Sequence, residues 1–368
     1  MVRNVSLIII SLAVLFAILE YGIFNFVLLP SEIPRLQEGV PKQVLKYQPN
    51  QTGTWRVGNH IASPYQINNQ GWNSAHKDYV VAKSVGTTRI AIVGDSYIEA
   101  LQVPYDRSVA EILESLRSHY QVYRFGISGA PLSQYIEMLE NEVLLYQPDI
   151  VVINIVHNDF LESLEGKQVS TFSSSFRTWR LLPGGKHIQV PPTPYKRNWI
   201  SLVKSLNVFG YLVPRKGMNI QFYRDLFLNH SSNSATESDK YVMNVPVNSL
   251  DDPQVIRIIE IFAKEVKNLV QEAAVQPHVI VIMDGPRGRS IESCRNRQLS
   301  PRLAFLHDNT AFIMHSYGIE FYDLWTHFFD KECTEGLNLK IPKDGHWSES
   351  GHLVVAEFLD SVIARDIE

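Results

Sequence analysis

The chain has 368 residues, a formal net charge of −4, 45% hydrophobic residues and 20% charged residues. This composition is typical of a folded globular protein with one large domain or two ordinary ones, and it excludes wholesale disorder. A protein that binds a phosphate backbone normally shows a basic excess, so we expect no nucleic-acid partner.

The first predicted element is an apolar stretch near the N-terminus. Residues 6–29 contain one charged side chain, Glu20, and are long enough to cross a bilayer as a helix. A buried helix of a soluble domain is seldom apolar all round over such a length. A cleaved signal peptide is the alternative, but the sequence Phe26–Pro30 is not a small-residue cleavage site. We therefore expect an uncleaved, single-pass anchor at residues 1–30.

The charges that flank this stretch give a weak orientation signal. Arg3 and the terminal amine lie on the short side, and three basic residues follow on the far side. A short basic tail is most simply cytoplasmic, which places the rest of the chain outside the cytoplasm. In an oxidising compartment the only two cysteines, Cys294 and Cys333, either pair or remain as thiols, and their spacing leaves both options open. That spacing fits no zinc site, so no metal and no cofactor are expected.

Residues 31–85 are interpreted as a linker or lead-in, because Pro, Gln, Gly and Asn are frequent up to about residue 60.

After this segment the chain alternates between short apolar runs and helical apolar patterns. Short apolar runs then predict five buried parallel strands at Arg89–Val93, Gln121–Phe125, Ile150–Ile155, His278–Met283 and Ile319–Tyr322. Helical periodicity predicts helices at Val109–His119, Ser133–Tyr146, Val255–Ala274, Arg302–Tyr317 and Ser350–Arg365. This alternation indicates an α/β domain at residues 86–368, with a parallel sheet covered on both faces.

Residues from about 160 to 252 interrupt that rhythm. They contain Pro-Gly-Gly at 183–185, Pro-Pro-Thr-Pro at 191–194 and a polar run at His230–Lys240, with some helix expected around Trp199–Phe227. We interpret them as an insertion. An insertion at the carboxyl edge of a parallel sheet commonly shapes a substrate cleft, and a peripheral loop without substrate contact is the alternative.

Four short motifs carry candidate chemistry. They are Gly94-Asp95-Ser96 after the first strand, Phe125–Gly129 after the second, Val156–Asp159 after the third, and Asp344-Gly345-His346-Trp347 before the last helix. A serine is a weak nucleophile until a base takes its proton, and an imidazole serves best when a carboxylate fixes its tautomer. Ser96 alone could be an ordinary helix N-cap. The combination predicts a serine hydrolase or acyltransferase.

In their order and positions these motifs resemble the blocks of the SGNH (GDSL-type) hydrolase superfamily, from about Arg89 to the C-terminus without the insertion. The resemblance implies a three-layer α/β/α sandwich with a flavodoxin-like parallel sheet. It implies that Ser96 is the nucleophile, His346 the base and Asp344 its orienting partner. The oxyanion would then be held by the backbone N–H groups of Ser96 and Gly129 and by the Asn158 amide.

Two positions depart from the common pattern of that superfamily. Many members place the carboxylate three residues before the histidine, whereas Asp344 stands two before His346. The Asp-x-His-Trp form resembles membrane-associated polysaccharide O-acetyltransferase relatives. Val156 replaces the glycine that many members have in the third block.

Other polar residues receive structural interpretations. His352 competes with His346 as the base, but we expect it to lie on a helix face. His157 and Asp159 could suggest a metal, although with no further ligands they are expected to hold the loop, and His157 could also contact substrate. Asp95 is expected to stabilise the nucleophile turn by local hydrogen bonds. Asp284–Arg287 ends the fourth strand and is given no role.

The sequence therefore predicts a membrane-anchored serine esterase that acts on O-acyl groups, acetyl above all, of a small-molecule or glycan substrate. A polysaccharide O-acetyltransferase is the first alternative, because a sugar hydroxyl can replace water in releasing the acyl group. A non-catalytic, membrane-tethered carbohydrate-binding or assembly protein is the second.

Overall fold

A computed structural model describes residues 2–39, 44–167, 173–216, 241–242, 245–246, 253–287, 293–295, 297–342 and 344–367. The strands are β1 (Gln51–Val57), β2 (Ile61–Ile67), β3 (Thr88–Gly94), β4 (Tyr120–Gly126), β5 (Ile150–Ile155), β6 (Thr178–Leu181), β7 (His187–Val190), β8 (Tyr241–Val242), β9 (Val245–Pro246), β10 (His278–Met283) and β11 (Glu320–Asp323). The helices are α1 (Val2–Ile18), α2 (Phe24–Phe26), α3 (Ser96–Glu99), α4 (Val109–Leu116), α5 (Leu132–Asn141), α6 (Asp159–Glu162), α7 (Trp199–Lys204), α8 (Asn207–Gly210), α9 (Pro253–Glu272), α10 (Pro301–Ser316), α11 (Leu324–Cys333) and α12 (Glu349–Ile367). Short 3₁₀ turns and two π-helical turns, Leu19–Ile23 and Tyr211–Arg215, join them.

The central sheet has five parallel strands in the order β11-β10-β5-β3-β4. This is the flavodoxin-like order, in which the chain leaves β3 toward one edge and returns to build the other. The order confirms the predicted fold class, and each of these strands lies within a residue of its predicted position. Ser96 follows the strand at the point where the order reverses, where open α/β sheets bind ligands.

Alternating strand residues pack against helices on opposite faces. In β3, Ala91 and Val93 belong to the core beneath α5, α9 and α10, whereas Ile90 and Ile92 belong to the core beneath α4 and α12. Side chains of a strand point alternately to its two faces, so a run that is apolar throughout needs helices on both sides. The three-layer arrangement follows from that requirement.

The predicted helices are present, but two of them end three or more residues before the predicted position. α4 ends at Leu116 rather than near His119, because Arg117 has an extended backbone (φ −137°, ψ 127°) and its side chain donates to Asp360. α5 ends at Asn141 and gives way to a 3₁₀ turn at Val143–Tyr146.

Two regions outside the sheet have their own structure. Within residues 31–85, β1 and β2 pair antiparallel as a hairpin. The interpretation of this segment as a linker or lead-in does not predict that hairpin. The insertion contains the antiparallel pair β6 and β7 and the helices α7 and α8. The part of the predicted helix Trp199–Phe227 from residue 217 onward, and the polar run His230–Lys240, lie outside the described residues.

Among the residues that the structure describes, one helix is long and apolar enough to cross a membrane. It covers Asn4–Phe26 over 23 residues, and only 6% of its most apolar window is buried inside the protein. An anchor and a signal sequence both have these properties.

Cys294 and Cys333, whose pairing the sequence leaves open, are joined by a disulfide with 5.5 Å between their Cα atoms.

Candidate active site

The turn after β3 is built by local hydrogen bonds. Asp95 caps α3, and its carboxylate accepts from the Tyr97 backbone N–H at 3.0 Å and also lies 3.2 Å from Ser96 Oγ. These contacts confirm the local role predicted for Asp95. Ser96 is therefore the first residue of a short helix that starts directly from the carboxyl end of the central strand.

This turn packs closely against the end of the neighbouring strand. A Cβ atom at Gly126 would lie 2.1 Å from the backbone nitrogen of Glu99 and 2.5 Å from the carbonyl carbon of Ile98. Only glycine allows the backbones of β4 and α3 to approach so closely. The second motif thus holds the nucleophile turn from the side.

His346 lies opposite Ser96 on the loop before α12. Its Nε2 is 2.8 Å from Ser96 Oγ, and its Nδ1 is hydrogen-bonded to Asp344 Oδ1. With the two-residue spacing, Gly345 lies between these residues and has φ +103°, a conformation that favours glycine. The structure therefore brings Ser96, His346 and Asp344 into one continuous series.

The hydrogen bonds of this series imply one tautomer. The Asp344 carboxylate accepts a hydrogen bond from His346 Nδ1, so the imidazole carries its proton on Nδ1. His346 Nε2 is then free to accept from the Ser96 hydroxyl. The single hydroxyl proton can serve only one acceptor, and the contact to His346 is shorter than the 3.2 Å contact to Asp95. The imidazole is thus placed to take the serine proton.

Electrostatics keep the orienting carboxylate ionised. Burial acts to raise the pKa of Asp344, but hydrogen bonds from the His346 ring and backbone N–H outweigh it, so the pKa lies below its ordinary value. The pKa of Asp95 shifts upward because that carboxyl is fully buried. The two carboxyls beside Ser96 therefore have pKa values that shift in opposite directions, and Asp344 is the one whose ionised form is favoured and could stabilise an imidazolium.

The predicted oxyanion residues flank Ser96 on both sides. Gly129 follows β4 and Asn158 follows β5, and these strands are the two neighbours of β3. Gly129 has φ +74° in the turn that leads into α5. The Asn158 side chain is hydrogen-bonded to Glu162, whose pKa burial and the charge of Asp95 raise to about 7. Strand order thus gathers the three predicted donors at one sheet edge.

The loop that carries Asn158 is held by a buried chain of two imidazoles. His157 Nε2 lies 2.8 Å from His307 Nε2, and His307 Nδ1 lies 2.7 Å from Asp323. Burial, together with the charges of His307 and Arg287, lowers the pKa of His157 well below its ordinary range. His157 therefore has the loop-holding position expected of it. Within the described ranges no group of three or more His, Cys, Asp and Glu side chains could hold a metal.

A buried arginine holds the loop that carries His346. Arg287 Nη2 donates to the Gly345 carbonyl at 3.0 Å and to the Tyr97 hydroxyl at 2.9 Å, while Nη1 pairs with Asp284. The Trp347 indole donates to the same Asp284 at 3.0 Å. One guanidinium thus connects α3, the end of β10 and the loop that carries His346.

Sequence reasoning left this segment, Asp284–Arg287, without a role. Its position in the sequence could have indicated a role. The segment follows β10, which pairs with β5, and therefore lies at the same sheet edge as Ser96 and Asn158. Burial raises the pKa of Asp284, against the opposing effect of Arg287. A buried pair of this kind resists rearrangement, because removing either partner leaves an uncompensated charge.

Glu99 is a second functional candidate that the sequence did not identify. It is 1% exposed, and its carboxylate accepts from the Ser128 hydroxyl and backbone N–H and from the Tyr47 hydroxyl at 2.5 Å. Ser128 directly precedes Gly129. Glu99 therefore links the lead-in to the turn that presents a predicted oxyanion donor.

His352 lies away from the series, on the buried face of α12. Its Nδ1 accepts from the Val109 backbone N–H at 3.2 Å, and burial lowers its pKa to about 3. This placement matches the helix-face interpretation.

One family model matches most of the chain, and several solved structures are similar to it. The family model for GDSL-like lipases and acylhydrolases matches residues 53–359. No curated protein matches the sequence.

Among solved structures, the chain is similar to the acetyl xylan esterase AlAXEase, with 12% identity and a TM-score of 0.38. The similarity covers 75% of this chain and 99% of that one. It is also similar to a lipase/acylhydrolase from Enterococcus faecalis, with 13% identity, TM-score 0.37 and coverage of 76% and 95%. A third is Est24, a carbohydrate acetylesterase from Sinorhizobium meliloti, with 11% identity, TM-score 0.36 and coverage of 76% and 99%.

Proposed function

Because the chain belongs to the family of GDSL-like lipases and acylhydrolases, we propose that it is a membrane-anchored serine esterase for O-acyl groups, acetyl above all. One observation carries this proposal: the hydrogen-bonded series from Asp344 through His346 to Ser96. The substrate class is an acylated small molecule or glycan, and the reaction uses no cofactor.

The reaction proceeds in two acyl transfers. His346 Nε2 takes the proton as Ser96 Oγ attacks the ester carbonyl, and the carbon–oxygen bond to the alcohol then breaks while His346 returns the proton to the leaving oxygen. Water, deprotonated by the same imidazole, then attacks the acyl carbonyl; the bond from the acyl carbon to Ser96 Oγ breaks, His346 returns the proton to Oγ, and the carboxylic acid leaves. Asp344 stabilises the imidazolium in both steps.

The oxyanion of each tetrahedral intermediate is assigned to the backbone N–H groups of Ser96 and Gly129 and to the Asn158 amide. Support comes from the strand order, which places these residues after three adjacent strands. Removing one such donor typically lowers kcat about 10²–10³-fold.

The location and division of the chain are part of the proposal. Residues 1–30 form an uncleaved anchor, residues 31–85 lead into the catalytic domain at 86–368, and the insertion spans about 160–252. The catalytic domain lies outside the cytoplasm. The apolar Asn4–Phe26 helix and the disulfide between Cys294 and Cys333 support this placement, since disulfides persist in oxidising compartments.

A polysaccharide O-acetyltransferase is the second candidate. It is favoured by the Asp344-Gly345-His346-Trp347 sequence, which resembles the form in membrane-associated transferase relatives. A glycan hydroxyl would then replace water in the second transfer. A non-catalytic binding protein is disfavoured, since a decayed site would be expected to have lost a member of the series.

The test uses the full chain in detergent with nitrophenyl esters of increasing acyl length and a fluorophosphonate probe. We expect turnover of the acetyl ester and labelling of the protein, both abolished by Ser96→Ala. Ser361→Ala, which changes an exposed serine on α12, is the matched control and should retain both. Labelling that survives Ser96→Ala would refute the nucleophile. Acylated sugar formed from added oligosaccharide, at a rate above hydrolysis, would establish the transferase instead.

A further inference from the structure

The N-terminal helix contains a buried acid that is bonded to the insertion. Glu20 is 3% exposed although it lies within the apolar Asn4–Phe26 helix. Its carboxylate accepts from the backbone N–H groups of Asn207 at 2.5 Å and Val208 at 3.0 Å, and its carbonyl accepts from the Asn207 amide at 3.1 Å. A carboxylate in an apolar helix is costly unless it is hydrogen-bonded, so the start of α8 supplies what Glu20 requires.

Further contacts continue this connection toward the end of the helix. The Phe24 and Tyr211 rings lie 5.5 Å apart, and Arg215 donates to the Leu29 carbonyl at 2.6 Å. Gly210 accepts from the Ser31 backbone N–H at 3.2 Å. Residues 207–215 therefore pack along the last turns of the apolar helix.

The position of Glu20 determines the depth of α8. Glu20 precedes Phe26, the end of the apolar helix, by a rise of about 9 Å at 1.5 Å per residue. Amphipathic helices that lie on a bilayer bury their apolar face about 5–10 Å into the headgroup boundary. If the apolar helix crosses a membrane, α8 must lie within that boundary.

The neighbouring helix α7 has an exposed apolar face. Trp199, Leu202 and Val203 stand at positions i, i+3 and i+4 and are 72%, 52% and 42% exposed. The basic residues Lys196 and Arg197 precede the helix and are also exposed. Apolar side chains on one face with Lys and Arg beside them are typical of a helix at a membrane surface.

We propose that α7 and α8 form a second membrane contact, with the apolar face of α7 in the phospholipid headgroup layer beside the N-terminal anchor. This inference rests on the anchor proposed above. The bilayer is the proposed partner of the α7 face, because α7 leads directly into residues 207–215, which pack on the apolar helix. Trp199 takes an interfacial position, and Lys196 and Arg197 face lipid phosphates. Two contacts would then fix the orientation of the catalytic domain over the membrane.

The experiment places the full chain in nanodiscs of phosphatidylcholine with or without bromine on the acyl chains, which quenches nearby tryptophan. We expect brominated lipid to quench part of the fluorescence in the wild type, and Trp199→Phe to lose that quenched part. Trp325→Phe, which removes a partly buried tryptophan of α11, should keep it. Glu20→Ala should reduce the quenching of Trp199 more than Glu20→Gln, which retains an acceptor oxygen.

The outcomes separate this inference from the anchor. A chain that sits in the discs, but loses the same fraction of fluorescence with and without Trp199, would overturn the second contact and leave the anchor intact. Discs that contain two chains with unquenched Trp199 would assign the α7 face to a second copy and equally overturn it. A chain that does not enter discs at all would refute the anchor and this inference together.

Discussion

The two halves of the candidate site are held in opposite ways. The turn that carries Ser96 is fixed by residues of the short motifs themselves, through the cap from the adjacent Asp95 and the close approach of Gly126 on the next strand. The loop that carries His346 is fixed by residues far along the chain, above all Arg287 and Tyr97. Sequence motifs record the first kind of contact and not the second. The following predictions test that contrast.

The largest effect is expected within the base loop itself. Asp344→Asn should lower kcat about 10⁴-fold, because an amide no longer stabilises the imidazolium and can favour the wrong tautomer. Steady-state kinetics with a nitrophenyl ester measure it, and Asp330→Asn, in an exposed ion pair with Arg297, is the control. Activity close to the wild type would show that another group orients His346.

An intermediate effect is expected from the residue that holds the loop at a distance. Arg287→Lys should lower kcat about 10²-fold with little change in KM, since a single ammonium cannot reproduce the fork that reaches Tyr97 and Gly345. Arg297→Lys is the matched control on the surface.

Thermal unfolding of both arginine variants separates positioning from simple loss of fold. A kcat for Arg287→Lys equal to that of the control would show that the loop keeps its place without the guanidinium. The contrast between locally and remotely held halves would then be wrong.

The smallest effect concerns the helix that follows the base loop. His352 is buried with a pKa of about 3, so between about pH 6.5 and 3 the unfolded chain binds a proton that the folded chain does not. Unfolding free energy should therefore fall as the pH falls through that window, by up to about 1.4 kcal/mol per pH unit from this group. His352→Asn, which keeps an acceptor for the Val109 N–H, should flatten the slope in denaturant titrations. An unchanged slope would place the acid sensitivity elsewhere, His157 being the next buried imidazole.

Much of the fold could be predicted because its determinants are local. A strand such as Ile150–Ile155 is buried on both faces, so its apolar run and its boundaries coincide. The hairpin of β1 and β2 is harder to predict from the sequence. Pro64 and the polar residues of Gln51–Val57 obscure the alternation of apolar and polar residues that marks a strand.

The site divides in the same manner. Ser96, Asp344 and His346 belong to short motifs, whereas the partners of Arg287 lie 58 and 190 residues away along the chain. Fully buried charged residues such as Arg89 and Arg124 likewise donate to backbone carbonyls, those of Tyr146 and Tyr105, that the folded chain brings near them. A single sequence contains no record of such pairings.

The bond between Tyr47 and Glu99 has a practical consequence for protein production. A fragment that begins at residue 86 would contain every residue of the candidate site. It would lack the Tyr47 hydroxyl, which donates to the Glu99 carboxylate together with the Ser128 hydroxyl. It would also expose the surface that Trp72 and Tyr79 cover within the main core. An expression fragment should therefore begin upstream of Tyr47, even when the apolar N-terminal helix is removed.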